Sequence, residues 1–280
     1  MIIDSEVHLL HPDALERGFT PPEGDPVTKS IFEHPDFLNI KDRLSIGALM
    51  ASMESCGIDK AVIIGLPWQD PSLNQENNYF TAQCAANYPE RFKALYIPHL
   101  GNIKQAVSQI ESLDKRIFPG IKLICSWQGV QMDEPSLSPL WHTVSARGLV
   151  AMVHVDHPHQ SLDGDTPFRL FNLARAYPRL KLLATHLGGL SCLYGLLPGL
   201  TKEISAITFV TSASATMEMR GFAAQVTPKN LIFGSDFPFN QFHDQETPLK
   251  HLLKLNLPQE EMAHICGKTA LKLFQWEGGS

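Results

Sequence analysis

Four short apolar runs in this chain end in groups that bind metals or move protons. The opening Ile3-Asp4-Ser5-Glu6-Val7-His8 alternates acidic and imidazole side chains, and the two-residue period of a strand sets Asp4, Glu6 and His8 on one face. A second run, Leu149–Val155, carries His154 near its end, with Asp156 and His157 just beyond. A third ends in His186, ahead of Gly188-Gly189, and a fourth ends in Asp236 within Phe233-Gly234-Ser235-Asp236-Phe237-Pro238. Imidazoles and carboxylates delivered by four strand ends have the composition of a divalent-metal site. A buried carboxylate costs several kcal/mol unless it is paired or metal-bound, so the joint pattern says more than any one residue.

Those groups need a scaffold that brings strand ends together. Apolar, β-branched runs at Met1–Val7, Ala61–Leu66, Phe92–Pro98, Gly120–Ile124, Leu149–Val155, Lys181–His186, Ile207–Ser212 and Leu231–Asp236 read as eight strands with helical stretches between them. Spread over 280 residues, eight units take about 35 residues each, close to one βα repeat. An open doubly wound sheet would need a glycine-rich turn after its first strand, and Ser5–His11 has no glycine. The expected fold is α/β, a (β/α)8 barrel, occupying residues 1–280 as a single domain. Asp42, Ser136 and Thr166 stand where helix caps are wanted, and Gly57 and Gly148 where helices stop. Two additions are expected: an ordered lid over the Pro-rich His11–Pro35 segment, with Phe19 and Phe32 to bury, and an extra C-terminal helix over Pro258–Trp276 with Leu271 and Phe274 on its apolar face.

Composition excludes several classes. Lys and Arg number 23 against 29 Asp and Glu, a net charge of −6, which leaves no electrostatic footprint for nucleic acid or an anionic membrane. The longest apolar stretches are strand-sized, too short to span a bilayer, and acidic Asp4 and Glu6 break the opening run as no signal peptide would. Five cysteines without a CxxC pair argue against a disulfide scaffold and for a reducing, cytoplasmic setting. Of 12 histidines, His8, His154 and His186 stand at strand ends; His11, His34, His142, His159, His243, His251 and His264 read as surface residues.

The chain resembles the amidohydrolase-2 branch of the metal-dependent amidohydrolase superfamily, the group of aminocarboxymuconate-semialdehyde and γ-resorcylate decarboxylases. The resemblance runs through Ile3–His8, Gly120-Ile121-Lys122-Leu123 with Gln128-Gly129, Pro139-Leu140-Trp141, Val153-His154, Ala184-Thr185-His186-Leu187-Gly188-Gly189 and Leu231–Pro238. It implies one divalent ion, Zn²⁺ or Mn²⁺, held by Glu6, His8, His154 and Asp236, with His186 beside the metal-bound water or the substrate. Glu6 stands where the commoner His-x-His start has its first histidine, as in several aromatic-acid decarboxylases. Gly188-Gly189 departs from the resorcylate pattern, and Ile124 replaces a histidine often found after the Lys-Leu pair.

Such an ion would activate water near neutral pH, with Asp236 shuttling the proton and His186 orienting the substrate. Hydrolysis of a small carbonyl compound stands first on the superfamily's breadth. Decarboxylation of a small aromatic or unsaturated acid is the alternative, with Asp236 protonating carbon, and a metal-free ligand-binding barrel is the third reading. Glu6 and its oxygens favour Mn²⁺, while Zn²⁺ also fits. Lys122 reads as a structural or substrate-facing amine, Cys125 as a small filler, and Trp68, Trp127 and Arg220 as pocket-lining groups that follow strands two, four and seven. The expected partner is a small-molecule substrate, and the resemblance adds a homodimer.

Overall fold

The computed structural model describes residues 1–16, 18–155, 164–191, 201–214, 219 and 228–276. Eight parallel strands follow one another around a barrel in sequence order: β1 Ile3–His8, β2 Lys60–Ile64, β3 Phe92–Tyr96, β4 Gly120–Leu123, β5 Val150–Val153, β6 Lys181–Ala184, β7 Ile207–Val210 and β8 Leu231–Ile232. Closure comes from backbone bonds between β1 and the chain at and beyond β8. Ser5 N–H donates to Phe233 O, Asp236 N–H to Glu6 O, and His8 N–H to Phe237 O, all at 2.8–2.9 Å. The fold is a (β/α)8 barrel, as the repeat length implies.

Helices cover the outside: α1 Ile46–Cys56, α2 Pro71–Asn87, α3 Ile103–Ser112, α4 Ser138–Ala146, α5 Pro167–Ala176, α6 Thr201–Ala206 and α7 Glu246–Leu253. Thr166 caps α5 as expected, its hydroxyl accepting from Arg169 N–H. Two other caps move. Ser45, not Asp42, caps α1 through Ala48 N–H, because Asp42 is already wound into a 3-10 turn. Ser136 likewise lies inside the 3-10 turn Pro135–Leu137, and α4 starts two residues later without a side-chain cap. The C-terminal segment runs from α8 Gln259–Ala263 through a wide turn to α9 Thr269–Leu273. Phe274 and Trp276 after it plug the bottom of the barrel. Among the described residues no helix is long and apolar enough to cross a membrane.

Strand alternation sorts residues between two cores. Val62, Ile64, Val150 and Met152 fill the barrel interior, while Ala61, Ile63, Ala151 and Val153 face the helices. On β4, Ile121 and Leu123 face outward, which turns Lys122 inward, into the lumen. On β1 the pairing register to β2 shifts between Asp4 and Val7. That extra residue leaves Ile3 inside and Val7 outside, and rotates Glu6 and His8 toward the barrel mouth. Asp4, Glu6 and His8 therefore do not share a face, contrary to simple alternation. Asp4 reaches out to Gln245 at the start of α7.

The insert after β1 is ordered over its described residues. It winds through short turns at Pro12–Leu15, Thr28–Phe32, Phe37–Ile40 and Lys41–Leu44. Phe19 and Phe32 pack on each other with centroids 5.6 Å apart, and both pack on Trp68, at 6.3 and 5.5 Å.

Candidate active site

The strand ends and the insert enclose a cavity of about 460 Å³, inside the range of small-molecule sites. Its floor holds Glu6, His8, Lys122, His154, His186 and Asp236. Leu66, Ile124, Trp127 and Phe239 give apolar walls, and Ile31, His34, Asp36 and Ile40 of the insert close the outer side.

Glu6, His8 and Asp236 each present one ligand atom within 4.8 Å of the others. His8 Nε2 lies 3.3 Å from Asp236 Oδ1, and its Nδ1 lies 3.3 Å from the Gly65 carbonyl, an acceptor that fixes the Nδ1–H tautomer. Asp236 is placed by its own backbone: φ is 61°, in the left-handed region, and its N–H is tied to Glu6 O. The positive φ lets the chain turn abruptly out of β8 so that the carboxylate points back over the mouth.

Glu6 is the most constrained member. Oε1 accepts from Lys122 Nζ at 2.6 Å, with both side chains 1% exposed, while Oε2 is buried and has no hydrogen-bond partner among the described residues. Burial works against ionisation, yet the Lys122 ammonium, helped by His186 and His8, holds the carboxyl down at about 2. The Lys122 contact thus favours the Glu6 anion and leaves Oε2 without a partner among the described residues. An orphaned buried carboxylate oxygen beside an imidazole and a second carboxylate fits a hard or borderline divalent ion.

His154 is not one of the three-residue group, although it lines the same cavity. Its Nδ1 lies 3.2 Å from His186 Nε2, the rings meeting edge to face at 77°. Burial, then the His154 ring, pushes His186 down to about 4, so it is neutral at physiological pH. Below the floor, Asp4 is pushed up to about 6 by burial, moderated by bonds from Ser235 N–H and Gln245 Nε2–H.

The other expected lining groups divide. Trp127 lines the cavity. Trp68 does not: it is 3% exposed under the insert, where it anchors Phe19 and Phe32. Lys122 lies at the floor, bound to Glu6. Arg220, Asp156, His157 and His159 fall outside the described residues. Cys125 is buried filler, with its thiol pushed well up by burial and Asp165. His34 and His243, read as surface, both line the cavity, as do Ile31, Asp36 and Phe239. The sequence signals that could have found them are the position of the insert directly after β1 and of Phe239–His243 directly after Asp236.

A closed barrel whose strand ends gather two carboxylates and an imidazole into one cavity defines the class: a barrel enzyme with a candidate metal centre at its C-terminal face. The sequence profile of the amidohydrolase family matches residues 3–276, and the chain belongs to that family. The 6-methylsalicylic acid decarboxylase of Penicillium expansum is 26% identical over 172 residues, a match that spans 49% of this chain and 53% of the relative. The 5-carboxyvanillate decarboxylase of Sphingomonas paucimobilis superposes with a TM-score of 0.78 at 18% identity, covering 99% of both chains. That of Novosphingobium aromaticivorans, complexed with manganese and 4-hydroxy-3-methoxy-5-nitrobenzoic acid, gives 0.79 at 15% identity over 99% of this chain and 96% of its own. At these identities the structural likeness concerns the fold.

Proposed function

We propose that the chain is a metal-dependent, non-oxidative decarboxylase of a small aromatic carboxylic acid, and that Glu6, His8, Asp236 and His154 hold one divalent ion, Mn²⁺ before Zn²⁺. The observation that carries this reading is Glu6 Oε2, without a partner among the described residues, beside His8 and Asp236 at the floor of a cavity partly walled by Leu66, Ile124, Trp127 and Phe239. Two carboxylate donors favour an oxygen-preferring ion. The names of the relatives support carbon dioxide release over the hydrolysis placed first from sequence: a 6-methylsalicylic acid decarboxylase in sequence and manganese-bound 5-carboxyvanillate decarboxylase in fold.

When bound, the ion supplies a fixed positive charge and Lewis acidity toward an acidic substrate's oxygens. The rest of the work belongs to the chain. Lys122 keeps Glu6 ionised and holds Oε1, leaving Oε2 for the ion. Leu66, Ile124, Trp127 and Phe239 hold the ring and exclude water from the developing carbanion. Asp236 makes its contact to His8 through Oδ1, and Oδ2 holds the proton that goes to ring carbon as the C–C bond breaks. The electron pair of that bond moves to the ring carbon, the proton quenches it, and carbon dioxide leaves. Solvent reprotonates Asp236.

The test is a panel of hydroxybenzoic acids, 6-methylsalicylic acid included, assayed for carbon dioxide release beside a panel of lactones and amides. The proposal expects release from at least one acid, lost in Glu6→Gln and Asp236→Asn. Turnover of a lactone or amide with no acid consumed restores the hydrolase reading. A cytoplasmic homodimer is carried as part of the proposal, and sedimentation of the purified chain checks the oligomer.

A further inference from the structure

One imidazole of the cavity wall is held firmly with half of its ring left free. His243 lines the cavity and has a φ of 53°, in the left-handed region that a non-glycine residue keeps only where its surroundings hold it. Three bonds do so. Its N–H donates to the Asn240 carbonyl at 2.9 Å, its carbonyl accepts from Arg43 Nη1 at 2.5 Å, and its ring Nδ1 lies 2.9 Å from the Pro238 carbonyl. Asn240 is itself buried and tied down: Nδ2 donates to the Ser235 and Asp244 carbonyls, and Oδ1 accepts from Phe242 N–H. Arg43 belongs to the 3-10 turn Lys41–Leu44 of the insert, so these bonds hold His243 on the insert's side of the cavity.

The polar atoms of the ring are thereby divided. A carbonyl only accepts, so Nδ1 carries a hydrogen toward Pro238, and no hydroxyl competes for it among the described residues. Nε2 has no hydrogen-bond partner among the described residues and is the polar atom left for the cavity; in the neutral ring it accepts. Phe239, in the same segment, lies against the His8 ring with centroids 5.2 Å apart, so residues 239–243 run from the floor to the insert's side. A substrate ring whose departing carboxyl group sits at the floor turns its far edge, meta or para to that group, toward His243. A hydroxyl there can donate to Nε2, whereas a methoxy or carboxylate oxygen only accepts and a methyl group does neither.

We propose that His243 is a specificity-determining residue: its Nε2 accepts a hydrogen bond from a ring hydroxyl meta or para to the carboxyl group that leaves, and so selects phenolic acids that carry a hydroxyl at that far edge. The inference rests on the decarboxylase reading above and adds to it the place of a second substituent, away from the floor.

The experiment measures kcat and KM for carbon dioxide release by Mn²⁺-loaded wild type, His243→Phe and His243→Asn. The acids are 2-hydroxybenzoic, 2,4-dihydroxybenzoic, 2,5-dihydroxybenzoic, 2-hydroxy-4-methoxybenzoic and 2-hydroxy-5-methoxybenzoic acid, and one that is not turned over is read by its Ki as an inhibitor. Each variant's loss on a dihydroxy acid is divided by its loss on 2-hydroxybenzoic acid, which cancels the ring's own reactivity and any general damage to the site. In both variants KM for at least one dihydroxy acid is expected to rise about 3–10-fold more than for 2-hydroxybenzoic acid or the methoxy acids, the size of one neutral hydrogen bond, with the difference in KM rather than kcat. Asn tolerates the left-handed backbone and its amide can donate to the Pro238 carbonyl, so this variant decides if the Phe variant does not fold. Equal losses on all five acids would show that His243 only shapes the loop, and would overturn the proposal. So would dihydroxy acids that bind wild type no more tightly than 2-hydroxybenzoic acid, or unchanged KM values in both variants. No release from any acid by wild type would instead overturn the decarboxylase reading, and this inference with it.

Discussion

Lys122 Nζ lies 2.6 Å from Glu6 Oε1, and both side chains are sealed from solvent. The pair spans the barrel from β4 to β1, and it decides the charge of the floor. Removing one partner of a buried pair leaves an uncompensated charge and typically costs about 3–5 kcal/mol. Lys122→Met should therefore destabilise metal-free protein by that order in denaturant titrations. A bound divalent ion replaces the missing positive charge, so the variant should gain more stability from added Mn²⁺ than wild type does. Glu6→Gln/Lys122→Met should recover part of the loss. Equal metal-induced shifts in wild type and Lys122→Met would contradict the account.

Gly234 offers a second handle on the same floor. A Cβ there would fall 2.4 Å from Val210 Cγ1 and 3.3 Å from Glu6 Cβ. Gly234→Ala should cost about 1–3 kcal/mol by overpacking and weaken metal binding by displacing Glu6. Val210→Ala in the same chain opens the space and should restore both. A Gly234→Ala protein as stable as wild type, with unchanged metal affinity, refutes the packing argument.

Two buried groups tilt the pH dependence of metal-free protein in opposite directions. His186 falls from 6.5 to about 4 on folding, so its contribution is full above pH 6.5 and is lost as pH falls toward 4. Asp4 rises from 3.8 to about 6, so its contribution is full below pH 3.8 and is lost as pH rises through 6. Between pH 4 and 6 the slopes oppose. Asp4→Asn is tolerated sterically because Gln245 Oε1, buried without a partner among the described residues, can accept from the new amide after a flip. Urea midpoints should then rise more steeply with pH in Asp4→Asn than in wild type, and fall with pH in His186→Gln. Parallel profiles in all three proteins would disprove these assignments.

Trp68 under the insert sets how firmly the cavity is roofed. Trp68→Ala removes the ring that Phe19 and Phe32 pack on, and a buried Trp truncation costs about 3–5 kcal/mol when felt in full. Here the loss should concentrate in the insert. Limited proteolysis should cut residues 11–35 faster, and KM should rise more than kcat falls. An insert as resistant as in wild type would show that the aromatic stack does not hold it.

Eight strands were legible because β-branched runs recur at a spacing close to one βα unit, and Glu6, His8 and Asp236 were legible because strand ends in such a barrel face one bowl. The register shift on β1 was not. Nothing in Asp4-Ser5-Glu6-Val7 signals an extra residue, so simple alternation groups Asp4 with two side chains from which the shift separates it. Trp68 follows β2 and reads as lining until the insert is seen to cover it. His34 and His243 lie in segments with little local pattern, and only the tertiary path brings them to the cavity. The inward face of Lys122 follows from alternation along β4; its partner, 116 positions earlier, does not.

The central claim is that a metal centre on Glu6, His8 and Asp236 removes a carboxyl group from an aromatic acid. The most direct measurement follows release of labelled carbon dioxide from carboxyl-labelled hydroxybenzoic acids, with metal content determined on the same samples. The account predicts about one Mn²⁺ or Zn²⁺ per chain in wild type, and label release that disappears with the metal in Glu6→Gln and after chelation. Metal bound equally by Glu6→Gln, or label release that survives chelation, would contradict it.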